Sequence, residues 1–313
     1  MTAAAHHHAP ATTRFGVGLN PAEEIVPTGL PVLQGRSVEA FFDGVAAVDR
    51  AGLFRLSRGT EWLLGAARVV PAAGTSIEAT ARLIYEALFA AARGWRLARI
   101  WNYVPAINEP DVGGLERYRA FSRGRSLAFE REFGPNFRTA IPAASAVGTD
   151  AAELTVVFAA TTRAPRHVEN PRQVPAYEYP PEHGPRPPSF ARATVVPAAA
   201  GRADVFVSGT AAIRGHTTVA PGETLPQLAC TLENLREISS ACGIGPDLAR
   251  GRAGVRHFKI YLRHAADLPA VRALLEREWL EPADRVSYLR SDICRRELNV
   301  EIEATLLGAA VAG

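Results

Sequence analysis

The sequence predicts an α+β protein: a mixed sheet with its helices packed on one face, preceded by a first half that mixes short strands with two helices. Two observations predict this. In the second half, apolar periodicity switches between two and 3.6 in the order β-β-α-β-α-β-β, with strand pairs at both ends of the set. The chain has 313 residues, 47% hydrophobic and 21% charged, which is enough for one large core or two medium ones.

Each element follows from local pattern. MTAAAHHHAPATT, residues 1–13, reads as a disordered leader whose three histidines, His6 to His8, would hold metal only weakly. Residues 14–162 mix short strands with two helices. SIEATARLIYEALFAAARG offers Ser76 as N-cap and Gly94 as stop, with apolar residues at helical spacing between them. WRLARIWNYVPAI reads as a strand, Gly114–Phe133 as a second helix, and AELTVVFAATT, from Ala152, as a buried strand. Residues 163–189 are dense in proline, with tyrosines and arginines interspersed. They are either an inter-domain linker or a rigid pocket wall, because proline fixes the backbone and removes donors. Residues 190–313 form the second unit. FARATVVPAAAG and RADVFVSGTAAI read as strands. ETLPQLACTLENLREISSACG reads as a helix with Leu225, Leu228, Leu232, Leu235 and Ile238 on one face and Gly243 past its end. GVRHFKIYLRH reads as a strand, DLPAVRALLEREWL as a helix capped by Asp267, and RVSYLRSDICRRELNVEIEATLL as closing strands.

Composition excludes several classes. The formal charge is only +3, and no basic run is interleaved with aromatics, so no nucleic-acid partner is expected. No apolar stretch reaches membrane-spanning length, and no membrane partner is expected either. The basic residues are arginines except Lys259, and arginine offers a planar fork to carboxylates and phosphates. Cys230, Cys242 and Cys294 are odd in number and widely spaced, which gives neither a disulfide framework nor a zinc pattern and suggests a reduced, cytoplasmic setting. In the closing strand, Asn299, Glu301 and Glu303 share one face, while Val300, Ile302 and Ala304 share the other. Two carboxylates on one strand face are either solvated or the edge of a pocket.

VFVSGTAAIRG, QLACTLENLREI, HFKIYLRHAADLPAVRALL and NVEIEA make the second half, from Phe190 to about Gly308, resemble the RidA/YjgF family. That resemblance implies a chorismate-mutase-like fold, trimers, and small carboxylates bound in clefts between subunits. Arg290 is the nearest match to that family's carboxylate-gripping arginine, although the connection after it is shorter here. The whole chain is similar to the chorismatases, on the strength of ARIWNYVPAIN, GLERYRAFSRGRSLAFE, ENPRQVPAYEYPPEHGPRPPSFARAT, VSGTAAIRGH and CRRELNVEIEA, which span Ala98 to Ala304. Chorismatases carry a RidA-like C-terminal domain behind a diverged one and cleave chorismate. One branch makes 3-hydroxybenzoate and pyruvate. Another hydrolyses chorismate to a dihydroxycyclohexadiene carboxylate and pyruvate. The resemblance implies no metal or other cofactor, and it leaves open a monomer or a RidA-like trimer. A RidA-like imine hydrolase or binding protein is the remaining alternative.

The resemblance also assigns roles. Glu301 matches the catalytic glutamate, which protonates an enol ether and so must keep its proton near neutral pH. Burial or the neighbouring Glu303 would raise its pKa; Glu303 itself reads as a neighbour or a solvated residue. Tyr118 and Arg125, two helical turns apart, and Tyr179 and Arg192 match positions that contact the ligand in chorismatases. Without the resemblance, the first pair reads rather as a half-buried tyrosine and a solvated arginine, and the second as a linker tyrosine and a strand-edge arginine. Arg186 and Arg172 are weaker candidates. Cys294 matches the cysteine of the 3-hydroxybenzoate branch. Ala211 matches a second discriminating position, where that branch tends to have glycine.

Overall fold

The computed structural model describes residues 13–19, 25–40 and 47–311. The expected leader, Thr13 apart, lies outside the described residues. The chain order is β1 (Arg14–Gly18), β2 (Ile25–Gly35), β3 (Val38–Ala40), β4 (Ala47–Ala51), β5 (Phe54–Arg58), β6 (Trp62–Val69), α1 (Ile77–Ala91), β7 (Arg96–Pro105), α2 (Arg117–Phe133), β8 (Ala143–Thr149) and β9 (Leu154–Thr161). It continues with β10 (Arg166–Val168), β11 (Ala193–Pro197), β12 (Arg202–Ala211), a hairpin of β13 (Ile213–Arg214) and β14 (Thr217–Thr218), α3 (Thr224–Ala241), β15 (Val255–Leu262), α4 (Leu268–Glu278), β16 (Arg285–Arg290) and β17 (Val300–Ala310).

Two large sheets follow, ordered β4-β5-β6-β9-β7-β8 and β10-β11-β12-β17-β15-β16-β2-β1-β3. The halves share one topology. β5-β6-β9-β7-β8 has α1 after β6 and α2 after β7; β11-β12-β17-β15-β16 has α3 after β12 and α4 after β15. In each half one parallel pair, β7–β8 or β15–β16, sits beside antiparallel ladders. The α+β class with a mixed sheet is therefore observed. Among the described residues, β1, β2 and β3 do not join the first-half sheet. β2 pairs antiparallel with β16, Ser287 opposite Gly35, so the second-half sheet crosses the break expected near residue 162.

The layers stack α-β-β-α. Tyr85, Leu88, Phe121 and Phe129 of α1 and α2 cover the outer face of the first sheet at Leu63, Ile100 and Phe158. Leu228, Leu232, Leu235, Val271 and Leu275 of α3 and α4 cover Val300, Ile302 and Ala304 of the second. The inner faces meet through Trp62, Trp101, Phe206, Tyr261 and Leu289. Strand alternation sends successive residues into different layers. Gly124 sets the α1–α2 approach, since a Cβ there would collide with the carbonyl of Glu78. This close packing fixes the start of α2, and with it Tyr118.

Caps and faces match expectation with two exceptions. Ser76 Oγ accepts from the Ala79 amide at 3.2 Å, as an N-cap should. Gly243 follows α3 with φ of 78°. Leu225, however, is 44% exposed: it lies in the first turn of α3, before the helix meets the sheet. Asp267 precedes α4 but makes no capping bond, because its carboxylate accepts from Thr224 Oγ1 at 2.6 Å instead.

Candidate active site

β12 ends and β17 begins at one end of the inter-sheet layer, and a cavity of about 390 Å³ opens there. Ala211 and Glu301 are cross-strand partners at its floor. Glu301 is 3% exposed. Burial, and secondarily Glu303, push its carboxyl up to about 8, against the opposing pull of Arg99 and Arg192. Gly209 makes room for it: a Cβ at 209 would run into Glu301 Oε1. The bulge that places Gly209 lies between Val207 and Thr210 of β12.

The walls come from distant segments. Arg192, just before β11, donates from Nη2 to the Tyr179 hydroxyl at 2.8 Å and to the Val174 carbonyl at 3.1 Å. Its Nε is buried and without a partner among the described residues. Tyr179, Glu182, His183 and Pro188 all line the cavity, so the proline-rich segment serves as a wall. Tyr118 enters from the first turn of α2, and burial pushes its phenol far up, leaving an O–H donor. Cys294 lines the same cavity; burial, then Glu301, push its thiol up to about 12, so it is an S–H at neutral pH.

Of the expected residues, Glu301, Cys294, Tyr118, Tyr179, Arg192 and Ala211 come together around this cavity. Arg125 does not line it. It is buried beside Tyr118 on α2, its guanidinium 5.1 Å over the Phe121 ring, with Nε and Nη2 unpartnered among the described residues. Arg186 is drawn off to Glu130 at 2.7 Å, Arg172 to Glu237 at 3.1 Å, and Arg290 to Asp292 at 3.3 Å; none of the three lines the cavity.

Glu303 is not solvated. It is 2% exposed, accepting from Arg99 at 2.8 Å and Trp101 Nε1 at 3.0 Å and pairing with Lys259 at 2.5 Å. Lys259 in turn pairs with Glu39 at 2.5 Å. Burial opposes ionisation of Glu303, but Lys259 and Arg99 together hold its carboxyl below the usual range. One strand face thus carries two carboxyls of opposite tendency, Glu301 retaining its proton and Glu303 losing it.

Arg295 also lines the cavity, outside the residues that sequence patterns point to. Its guanidinium sits 5.5 Å over the Tyr179 ring, Nη1 donates to Thr218 Oγ1 at 3.0 Å, and the buried Nη2 has no partner among the described residues. Its one signal is the run CRRE directly after the cysteine position.

Comparisons with known proteins agree on one family. The family model described as "Chorismatase FkbO/Hyg5-like, N-terminal" matches residues 42–160. A protein of Streptomyces hygroscopicus named 3-hydroxybenzoate synthase is 38% identical, over 76% of this chain and 72% of its own. A chorismatase of Streptomyces rapamycinicus is 39% identical, over 80% of this chain and 76% of its own. A solved chorismatase structure superimposes with a TM-score of 0.75 at 32% identity, covering 83% of this chain and 79% of that one. With a shared architecture and relatives this similar over most of its length, the chain belongs to the chorismatase family.

Proposed function

We propose that this enzyme cleaves chorismate to 3-hydroxybenzoate and pyruvate, with Glu301 as the acid that begins the reaction. The observation that carries the reading is a buried carboxyl, held up to about 8, facing a cavity walled by Arg192, Tyr179 and Cys294. The relatives named 3-hydroxybenzoate synthase and chorismatase support it.

Chorismate carries two carboxylates and an enol ether. Arg192 with Tyr179 suits one carboxylate, and Tyr118 with Arg295, both lining the cavity, suits the other. Glu301 delivers its proton to the methylene carbon, and the ether oxygen shares the resulting positive charge. The ionised carboxylate then stabilises that cation across the cavity. The substrate's own ring hydroxyl displaces the ether oxygen. The carbon–oxygen bond breaks, its electron pair closes the pyruvate carbonyl, and the hydroxyl proton is taken up by the site. The ring oxide opens and loses a ring hydrogen, giving the phenol, and Glu301 is reprotonated. One chorismate gives one 3-hydroxybenzoate and one pyruvate with no atom left over. Cys294, a neutral thiol, is suited to carry a proton during the rearrangement.

Incubating the purified protein with chorismate should release pyruvate and 3-hydroxybenzoate in equal amounts, and in heavy water the pyruvate methyl should gain deuterium. Absence of pyruvate would end this reading. A second reading rests on Ala211, since the 3-hydroxybenzoate branch tends to have glycine at the matching position. Water would then attack the cation, and the ring product would be a diene diol heavier by one water, which mass spectrometry separates at once. The imine-hydrolase alternative is disfavoured by Arg290, which is turned to Asp292 outside the cavity.

Gly209→Ala supplies a further test. The added Cβ must displace the Glu301 carboxylate. Overpacking of this kind costs about 1–3 kcal/mol, and a shifted acid lowers turnover about 10²-fold. Steady-state kinetics with a thermal melt separates the two effects; undiminished kcat would show that the carboxyl's position is unimportant. A single chain supplies both sides of the cavity, which supports a site complete in the monomer. All three cysteines are free thiols, in keeping with the reducing cytoplasm where we place the enzyme.

A further inference from the structure

At the rim of the cavity, Glu182, His183 and His216 bring three potential ligand atoms close together. His183 Nε2 lies 3.1 Å from His216 Nδ1. Glu182 Oε1 lies 3.6 Å from the first nitrogen and 3.4 Å from the second. The same three atoms close the triangle. A tetrahedral zinc with bonds of about 2.0–2.1 Å to nitrogen and oxygen separates its ligand atoms by about 3.3 Å. The triangle already has that edge length, so a cation bound to all three atoms requires almost no rearrangement.

The surroundings fit a ligand role. The Tyr179 ring packs at 5.2 Å from His183 and 6.4 Å from His216, which orients both imidazoles. Arg119 and Arg295 add positive charge beside the triangle, which weakens any ion held by charge alone. Two imidazoles with one carboxylate favour a borderline-soft cation such as zinc over magnesium or calcium.

We infer that Glu182, His183 and His216 form a site for a zinc-class divalent cation, stapling the proline-rich segment to the β13–β14 hairpin at the rim of the cavity. Glu182 and His183 end the short helical turn Pro181–His183, and His216 sits at the tip of the hairpin, 33 residues later in sequence. A bound ion would reinforce a junction that backbone bonds already make, Val174 N–H to the Gly215 carbonyl and Gly215 N–H to the Arg172 carbonyl, each at 3.0 Å. It would also fix the segment that carries Tyr179. The staple requires no step of the chemistry proposed above.

Cobalt titration of the full chain, followed by its visible absorption, together with zinc equilibrium dialysis, tests the site. His6 to His8 are a second source of imidazole, so the comparison is with His216→Ala, which retains that run. The wild type should hold one more equivalent than the variant, with the intense cobalt bands of low coordination number, and zinc should raise its melting temperature but not that of the variant. Glu182→Gln should weaken the extra site about tenfold or more. Equal stoichiometry and equal melting shifts in wild type and His216→Ala would overturn the inference. If His216→Ala does not fold, hydrogen exchange over residues 176–184 of the wild type decides: zinc should slow it, and unchanged exchange counts against the site.

Discussion

Glu301→Gln should lower kcat about 10³-fold while leaving affinity for the substrate dianion nearly intact. The reason lies in the charge state before reaction. With its carboxyl pushed up to about 8, Glu301 is largely neutral at pH 7, and glutamine reproduces a neutral acid in size and polarity. Only the proton is lost, and the proton is needed at the transition state. Wild-type turnover should therefore fall as pH rises through about 8, where the acid ionises. The same shift fixes a stability prediction of opposite sign. A carboxyl whose folded pKa is raised binds more protons folded than unfolded. Its contribution is complete below the unfolded pKa of about 4.3 and erodes until pH passes about 8. At neutral pH, wild type thus carries a penalty on the order of a few kcal/mol that Glu301→Gln removes. A variant that melts higher yet turns over far more slowly is the expected result. Calorimetric binding, kinetics and melts on one preparation check all three parts. A variant retaining more than a tenth of wild-type kcat would sink the role of Glu301 as the acid.

Much of this site was legible in the sequence, and what was not has a common cause. Period-two alternation placed Glu301 and Glu303 on one strand face and Val300, Ile302 and Ala304 on the other, and the structure keeps that division. Alternation does not say what covers the polar face. The cover is the first-half sheet, whose Arg99 reaches Glu303 across 204 positions of sequence. Hence of the two readings of Glu303, a neighbour of Glu301 or a solvated residue, the solvated one fails: it is buried and paired. The same distance hid the pairing of β2 with β16 and the meeting of His183 with His216. Helical spacing put Tyr118 and Arg125 on one face, but a shared face is not a shared depth: Tyr118 in the first turn reaches the cavity, and Arg125, two turns in, is packed on Phe121. The proline-rich stretch was evenly balanced between linker and wall. The deciding feature is the bond from Arg192 to Tyr179, a contact no local pattern encodes.

Glu303→Gln should both destabilise the fold and shift the alkaline limb of the rate profile to lower pH. Glu303 faces Arg99, Trp101 and Lys259 with almost no water, and Lys259 is shared with Glu39. Removing one charge from a buried network leaves its partners uncompensated, at a cost of about 3–5 kcal/mol. Arg99 and Trp101 belong to one sheet and Lys259 and Glu39 to the other, so the loss falls on the seam between sheets. Denaturation of the two halves should remain concerted and move to lower denaturant. The kinetic effect has a separate origin. Ionised Glu303 raises the pKa of Glu301, while Arg99 lowers it. Deleting the negative charge leaves the arginine unopposed, so Glu301 ionises earlier and the limb moves down by about one pH unit. At low pH, where Glu301 is protonated in both proteins, kcat should converge. A structural defect alone would depress kcat at every pH and leave the limb in place, which is the outcome that would separate Glu303 from the tuning of its neighbour.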